Sequence, residues 1–188
     1  FSLCGSWERA LCCAKHLARA TFALPYQEHL WTRGPSANGK DTLANRMQSL
    51  LGSYFGNLPC EALMGAREMD ATSQTLLSLK GKRFAAVREI ARDPKIRSHI
   101  YKTIADPKGK IKARGLYGKD DEFSPHFLVY LASNVPVDID DSSGGSARRT
   151  RILDLPFNFV ENPEAANERK KDANLEAQFP RWNPTLFL

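Results

Sequence analysis

Gly34-Pro35-Ser36-Ala37-Asn38-Gly39-Lys40-Asp41-Thr42 nearly fits the phosphate-loop pattern G-x-x-x-x-G-K-[ST]. A glycine-bearing turn directly before a helix aims backbone N–H groups at one concave point, and the helix dipole reinforces them. Gly39 lets the backbone come close to a phosphate, and Lys40 adds a point charge for the outer phosphates of a nucleotide. Such a loop needs a strand before it and a helix after it. His29-Leu30-Trp31-Thr32 reads as the strand. Leu43, Met47, Leu50 and Leu51 recur at helical spacing up to a stop at Gly52. The competing reading is a glycine-containing turn before an ordinary helix.

One position departs from the pattern. Asp41 stands where Ser or Thr would hold Mg²⁺, and Thr42 follows one residue late. A carboxylate is still a hard oxygen ligand that suits Mg²⁺. It also adds negative charge beside the phosphates, which weakens nucleotide attraction.

The chain has 188 residues, enough for one domain with a sizeable core. A net charge of +6 fits an anionic partner such as nucleic acid, although many ordinary enzymes are as basic. No apolar run approaches a membrane span, so a soluble domain with no membrane partner is expected. Cys4, Cys12, Cys13 and Cys60 form no C-x-x-C pair and no histidines sit at ligand spacing, so free thiols in a reducing, intracellular compartment are expected rather than zinc. The first residue is Phe1 rather than Met, which points to a fragment or a processed product.

Residues 1–24 read as an N-terminal flanking helix. Trp7, Leu11, Ala14, Ala18 and Phe22 mark one face and Ser6 is a candidate cap. A packed helix is preferred here to a basic transit peptide. Residues 25–160 form the core and 161–188 a truncated tail, charged and of loop or helix from Glu161 to Lys171 and apolar enough to pack from Trp182 to Leu188. Within the core, a helical hint runs from Ala62 to Met69 and a short helix from Ser73 to Leu79. Arg83–Val87 is an apolar strand closing on Arg88-Glu89. An acid at the carboxyl end of a buried strand can reach a metal or polarise an attacking water, and Glu89 is placed for that. Arg88 occupies the position where a second acid often sits.

Arg92–Ile104 is helix-compatible. After it, Lys108, Lys110, Lys112 and Arg114 alternate with small or apolar residues. On an extended hairpin that period puts the four cations on one face, where they could follow a phosphate backbone. A solvated edge strand is the alternative. Phe127–Ala132 is a continuous apolar run, as in a strand buried on both faces, and it ends at Ser133-Asn134. An amide there could position the lytic water, or Asn134 is a turn former before Val135-Pro136. Asp138–Ser146 is expected to be a mobile acidic loop. It leads to Arg148-Arg149, which could reach a neighbouring subunit's phosphates, and then to the strand Ile152–Leu155.

The order of these pieces is what identifies them: the loop with Asn38 before Gly39, then KGKRFAAVREI, DPKGKIKARGLYG, PHFLVYLASNVP and ARRTRILDLPF. From about Leu17 to Phe157 the chain resembles the superfamily 3 helicase core of phage, plasmid and large-DNA-virus primase–helicases of the poxvirus type. The resemblance implies an α/β P-loop NTPase of AAA+ type, with a central, mostly parallel sheet flanked by helices and a basic β-hairpin. It also implies a homo-oligomer, a hexameric ring around DNA. By that resemblance Gly34, Pro35, Ser36, Ala37, Asn38, Gly39, Lys40, Asp41 and Thr42 form the nucleotide loop, and Glu89 is the second motif's acid. Asn134 is the sensor, Arg148 or Arg149 is the arginine finger, and Lys108, Lys110, Lys112 and Arg114 lie in the DNA-contacting hairpin. Ala105 departs from the family, standing where a glycine usually precedes the aspartate.

The implied activity is an ATP-dependent helicase motor that uses ATP and Mg²⁺ to translocate on single-stranded DNA during replication. Asp41, Thr42 and Glu89 are the candidate metal ligands, and Lys40, Glu89, Asn134, Arg148 and Arg149 the catalytic set. A hydrolysis-deficient DNA-binding or assembly module is the alternative, because of Asp41 and Arg88. A P-loop small-molecule kinase is a third reading that leaves the basic hairpin unexplained.

Overall fold

A computed structural model describes residues 3–24, 26–64, 74–88, 90, 95–114 and 120–183. The strands, in chain order, are β1 (His29–Arg33), β2 (Phe55–Asn57), β3 (Phe84–Val87), β4 (Lys95–Arg97), β5 (Ile111–Arg114), β6 (Asp120–Phe123), β7 (Leu128–Ser133), β8 (Asp138–Asp140), β9 (Thr150–Asp154), β10 (Asn158–Val160) and β11 (Glu168–Lys170). Five of them make the central sheet in the order β2-β3-β7-β1-β9, with every neighbouring pair parallel. The fold is therefore α/β with a central parallel sheet, as expected.

The apolar run in β7 is buried at all six positions. Its side chains alternate between the two faces, as the strand period requires. Leu128, Tyr130 and Ala132 join Leu30, Phe84 and Ala86 on one side. Val129 and Leu131 join Trp31, Ala85 and Val87 on the other. The first face is covered by helices α1 (Trp7–Thr21) and α2 (Lys40–Leu51), which contribute Cys13, Ala20, Ala44, Met47 and Leu51 to that core. α2 stops at Gly52, where the sequence places its end. No helix among the described residues is long and apolar enough to cross a membrane.

Ser6 caps α1, its hydroxyl accepting from the Arg9 N–H at 3.3 Å. The face α1 packs is not the expected one. Trp7, Leu11, Ala14, Ala18 and Phe22 are exposed, and Cys13, His16, Ala20 and Thr21 are buried. Small side chains let the helix lie close over the sheet. The buried imidazole of His16 is satisfied, its two nitrogens meeting the Cys12 carbonyl at 2.8 Å and the Glu28 carboxylate at 3.1 Å.

Three further segments differ from expectation. Lys95–Arg97 is a strand, and the helix begins only at Ser98 and runs to Ile104. Asp138–Ser146 is organised: β8 pairs in parallel with β4 and faces Lys95 and Arg97 with Asp138 and Asp140. Beyond β8, the Asp141 carboxylate accepts from the Ser143 N–H and hydroxyl at 2.9 and 2.7 Å, from the Ser146 N–H, and from Lys102 Nζ at 2.8 Å. These bonds hold its carboxyl well below the usual carboxylate range. The tail contains β11, which pairs in parallel with β10. It then returns to α2, where Arg46 donates to the Phe179 carbonyl at 3.1 Å and to Asn183.

Candidate functional site

Parallel sheets present their loops at the carboxyl ends of the strands, and ligands gather there. β1 and β7 pair with Arg33 opposite Ser133, so Gly34 and Asn134 leave the sheet side by side. β3 pairs with β7 so that Val87 is level with Leu131, which brings Arg88 to the same rim.

The loop from Gly34 to Gly39 is built by its glycines. Gly34 (φ 148°) and Gly39 (φ 86°) both lie at positive φ, as does Ala37 at 56°. A Cβ at Gly34 would collide with the Leu155 carbonyl and the Asn38 amide, and one at Gly39 with the side chain of Leu3. At Gly34 both the positive φ and the fixed Leu155 carbonyl exclude a side chain, whereas at Gly39 the positive φ is the main ground because the Leu3 side chain can yield. Asn38 is buried beneath the turn and accepts from the Lys40 N–H at 3.3 Å.

Lys40 opens α2 and folds its side chain back over the loop. Its ammonium donates to the carbonyls of Gly34 (3.0 Å) and Pro35 (2.9 Å) and to the side-chain oxygens of Asn38 (2.8 Å) and Asn134 (2.7 Å). Burial lowers the Lys40 pKa from the usual lysine value, and the Asp41 carboxylate opposes that shift. The helix start is tied to the sheet from below. Buried Tyr130 donates to the Lys40 carbonyl at 2.9 Å, and Thr32 donates to the Tyr130 hydroxyl at 2.9 Å. Burial raises the Tyr130 pKa, so the hydroxyl stays protonated. Removing that hydroxyl would break its bond to the Lys40 carbonyl, a loss of about 1 kcal/mol, while Thr32 keeps the Leu131 carbonyl at 3.1 Å.

Around this lysine lies a cleft of ≈ 510 Å³, bounded by Ser36–Thr42, Arg88, Ile90 and the β7 exit through Asn134 and Val135. Its size suits a nucleotide phosphate chain. Asp41 is exposed at the first turn of α2 and Thr42 half-buried beside it, so hard oxygen donors face the opening. Glu89 lies outside the described residues. Arg88 is a cleft residue whose present bonds the sequence did not suggest: its guanidinium donates to Asn45 at 2.7 Å and to Gln48 at 3.2 Å, both on α2.

Arg148 and Arg149 are not brought to this cleft. They form a short 3₁₀ turn ahead of β9, whose first residue pairs with His29 and whose last pairs with Arg33. The arginine turn is thus at the amino end of the sheet, about 15 Å from the end that carries the Gly34–Gly39 loop at ~3.3 Å per strand residue. Arg149 donates to the Gly145 carbonyl at 3.0 Å, while Arg148 is exposed. Beneath them His29 donates to the Tyr101 carbonyl at 2.9 Å, and the Tyr101 hydroxyl bonds Thr150 at 2.9 Å.

The basic segment also lies apart from the cleft. β5 and β6 pair antiparallel, with Lys112 opposite Glu122 and Arg114 opposite Asp120. Lys108 sits in the preceding turn, which closes from Asp106 to Gly109. Ile111 and Ala113 are buried while Lys108, Lys110 and Lys112 are exposed, and Lys110 pairs with Glu122 at 3.5 Å. The side chain of Arg114 is outside the described residues.

Among known proteins, the chain is similar to an African swine fever virus protein named as a candidate primase, 28% identical over 147 residues, which are 76% of this chain and 15% of that protein. It is also similar to an Acanthamoeba polyphaga mimivirus protein named as a candidate helicase, 26% identical over 160 residues, 79% of this chain and 17% of that protein. The chain therefore spans under a fifth of the length of the curated relatives it matches. No family model matches it. Two solved structures of the NrS-1 C-terminal region share the fold. One has a TM-score of 0.60 at 15% identity, covering 91% of this chain and 39% of that one. The other has 0.62 at 16%, covering 93% and 41%. The similarity thus joins this chain to replication-related, primase- and helicase-named proteins of large DNA viruses, over a shared α/β fold.

Proposed function

We propose that this chain is the ATP-hydrolysing core of a viral-type replication helicase, of superfamily 3 and AAA+ type, that moves along single-stranded DNA as a homo-oligomeric, hexameric ring. The observation that carries the reading is the contact of Lys40 Nζ with both its own loop and Asn134. A phosphate-loop lysine and a strand-tip amide meet at the carboxyl rim of a parallel sheet, where an in-line attack on a terminal phosphate needs them. The helicase and primase names of the viral relatives support the same reading.

In this reading Lys40 exchanges some of its four oxygen partners for the outer phosphates. Asn134, released on one side, orients the attacking water together with Glu89. Asp41, Thr42 and Glu89 would hold Mg²⁺, which when bound neutralises charge on the phosphate oxygens. Arg148 is the better finger of the two, because Arg149 is engaged by Gly145. At the opposite sheet end it serves a neighbour's phosphates rather than its own. Lys108, Lys110, Lys112 and Arg114 would contact the strand's phosphates.

The test is phosphate release by the purified protein, with and without single-stranded DNA. DNA-stimulated hydrolysis that Lys40→Ala abolishes, together with nucleotide binding, is expected. Unchanged nucleotide affinity in Lys40→Ala would overturn the site. The exposed carboxylate of Asp41 and the cation of Arg88 in the cleft favour one second reading, a DNA-binding module that does not hydrolyse. It predicts no phosphate release from the natural sequence and a gain in Asp41→Ser.

A further inference from the structure

Asp41, Asn45 and Gln48 are spaced i, i+4 and i+7 on α2, so they form one polar stripe along the helix. Arg88 comes off β3 against that stripe. It occupies the two lower rungs, bonding Asn45 at 2.7 Å and Gln48 at 3.2 Å, with its guanidinium 5.3 Å from the Phe55 ring centroid. Asp41 is the upper rung, one turn nearer the phosphate loop. Arg88 also borders the same cleft as Lys40 and Asn134. Its Nε is buried and has no hydrogen-bond partner among the described residues.

Both resting partners of Arg88 are neutral amides. A guanidinium bonds a phosphate or a carboxylate about twice as strongly, often through two parallel N–H···O bonds. A turn of helix is about 5.4 Å, within the reach of an arginine that changes rotamer. Building on the nucleotide-site reading above, we propose that Arg88 is a second phosphate cation of this cleft. It leaves Asn45 and Gln48 and moves up the stripe toward Asp41 when a nucleoside triphosphate brings its outermost phosphate. The motion adds a positive charge beside the outermost phosphate, and the orphaned Nε gains a partner. The residue would then distinguish triphosphate from diphosphate within its own subunit.

Equilibrium binding of ADP and of a non-hydrolysable ATP analogue, each with Mg²⁺, tests this in the natural protein and in Lys40→Ala, Arg88→Gln, Arg88→Lys and the double variant Asn45→Ala/Gln48→Ala. Arg88→Gln should weaken the analogue about 10- to 100-fold, the loss of a charge-assisted bond, and ADP less than about threefold. Arg88→Lys should fall between. Removing the resting partners while keeping the arginine should tighten the analogue about two- to fivefold and leave ADP unchanged. Equal losses for both nucleotides in Arg88→Gln, or a double variant that binds the analogue no better, overturns the proposal. The double variant decides alone if Arg88→Gln does not fold. Lys40→Ala separates the two levels: if it binds both nucleotides normally, the site itself is misassigned. If it loses both while Arg88→Gln does not discriminate, only the role of Arg88 fails.

Discussion

His29 is fully enclosed at the amino end of β1, with its Nε2–H on the Tyr101 carbonyl and its ring 4.0 Å from the Tyr101 ring. Burial, with Arg149 nearby, lowers its pKa from 6.5 to about 4 despite the opposing carbonyl bond. A neutral imidazole under the arginine turn adds no repulsion there. In the unfolded chain His29 takes up a proton near its ordinary value, while the folded chain refuses it until about pH 4. Its contribution is therefore complete above about pH 6.5 and drains away as the pH falls toward 4, by at most about 3 kcal/mol. Denaturant unfolding at pH 7 and pH 4.5 should show this loss, and His29→Gln should flatten the dependence. A histidine that protonates at pH 6 in the fold would refute it. From the sequence, His29 is only a strand residue. Its partner is 72 positions away, and no local pattern announces it. Lys40 and Asn134 were legible because each stands at a fixed step from its strand, and the strands are adjacent. Arg88 was read only for the acid it displaces, since its bonds depend on how β3 leans on α2.

At the scale of elements, Lys108, Lys110 and Lys112 are exposed on and just before β5, but its antiparallel partner β6 answers with acids. Lys110 spends part of its charge on Glu122, and Lys80 meets Asp121 at 2.6 Å. Exposed pairs of this kind are weak, and a DNA strand can displace them. Four phosphate contacts would give a single-strand salt slope of about −3 per subunit, from about −0.7 each. Lys112→Ala should lower the magnitude by about 0.7, whereas Glu122→Gln should strengthen binding at low salt. A slope near zero would reduce the hairpin to solvated decoration. The long elements were legible: β7 as an unbroken apolar run, α2 as a periodic stretch with a glycine stop. The three-residue parallel pairs β4–β8 and β10–β11 were not, because three residues hold too little period to read. α1 was legible as a helix but not in its orientation. Apolar spacing pointed to Trp7 and Leu11, while the sheet accepts the narrow face of Cys13, His16 and Ala20.

For the molecule as a whole, the parallel register of β1 and β9 separates the Gly34–Gly39 loop from the arginine turn by the length of the strands. On the proposed function a complete site then needs two chains, one offering Lys40 and the next offering Arg148. Lys40→Ala and Arg148→Ala should each be inactive alone, the second still binding ATP. Mixed and re-assembled in equal amounts, they should recover about a quarter of the natural turnover, since half the sites keep the lysine and half of those face an intact arginine. No recovery on mixing would place the finger elsewhere.

The same strand pairing also gives each chain a front and a back. On the proposed function, copies join back to front and repeat one joint all the way round, every joint handed alike, so a circle of them would have a clockwise and an anticlockwise sense. A cargo drawn through its centre would meet the same sequence of grips from any starting point, and reversing its travel would require turning the whole circle over.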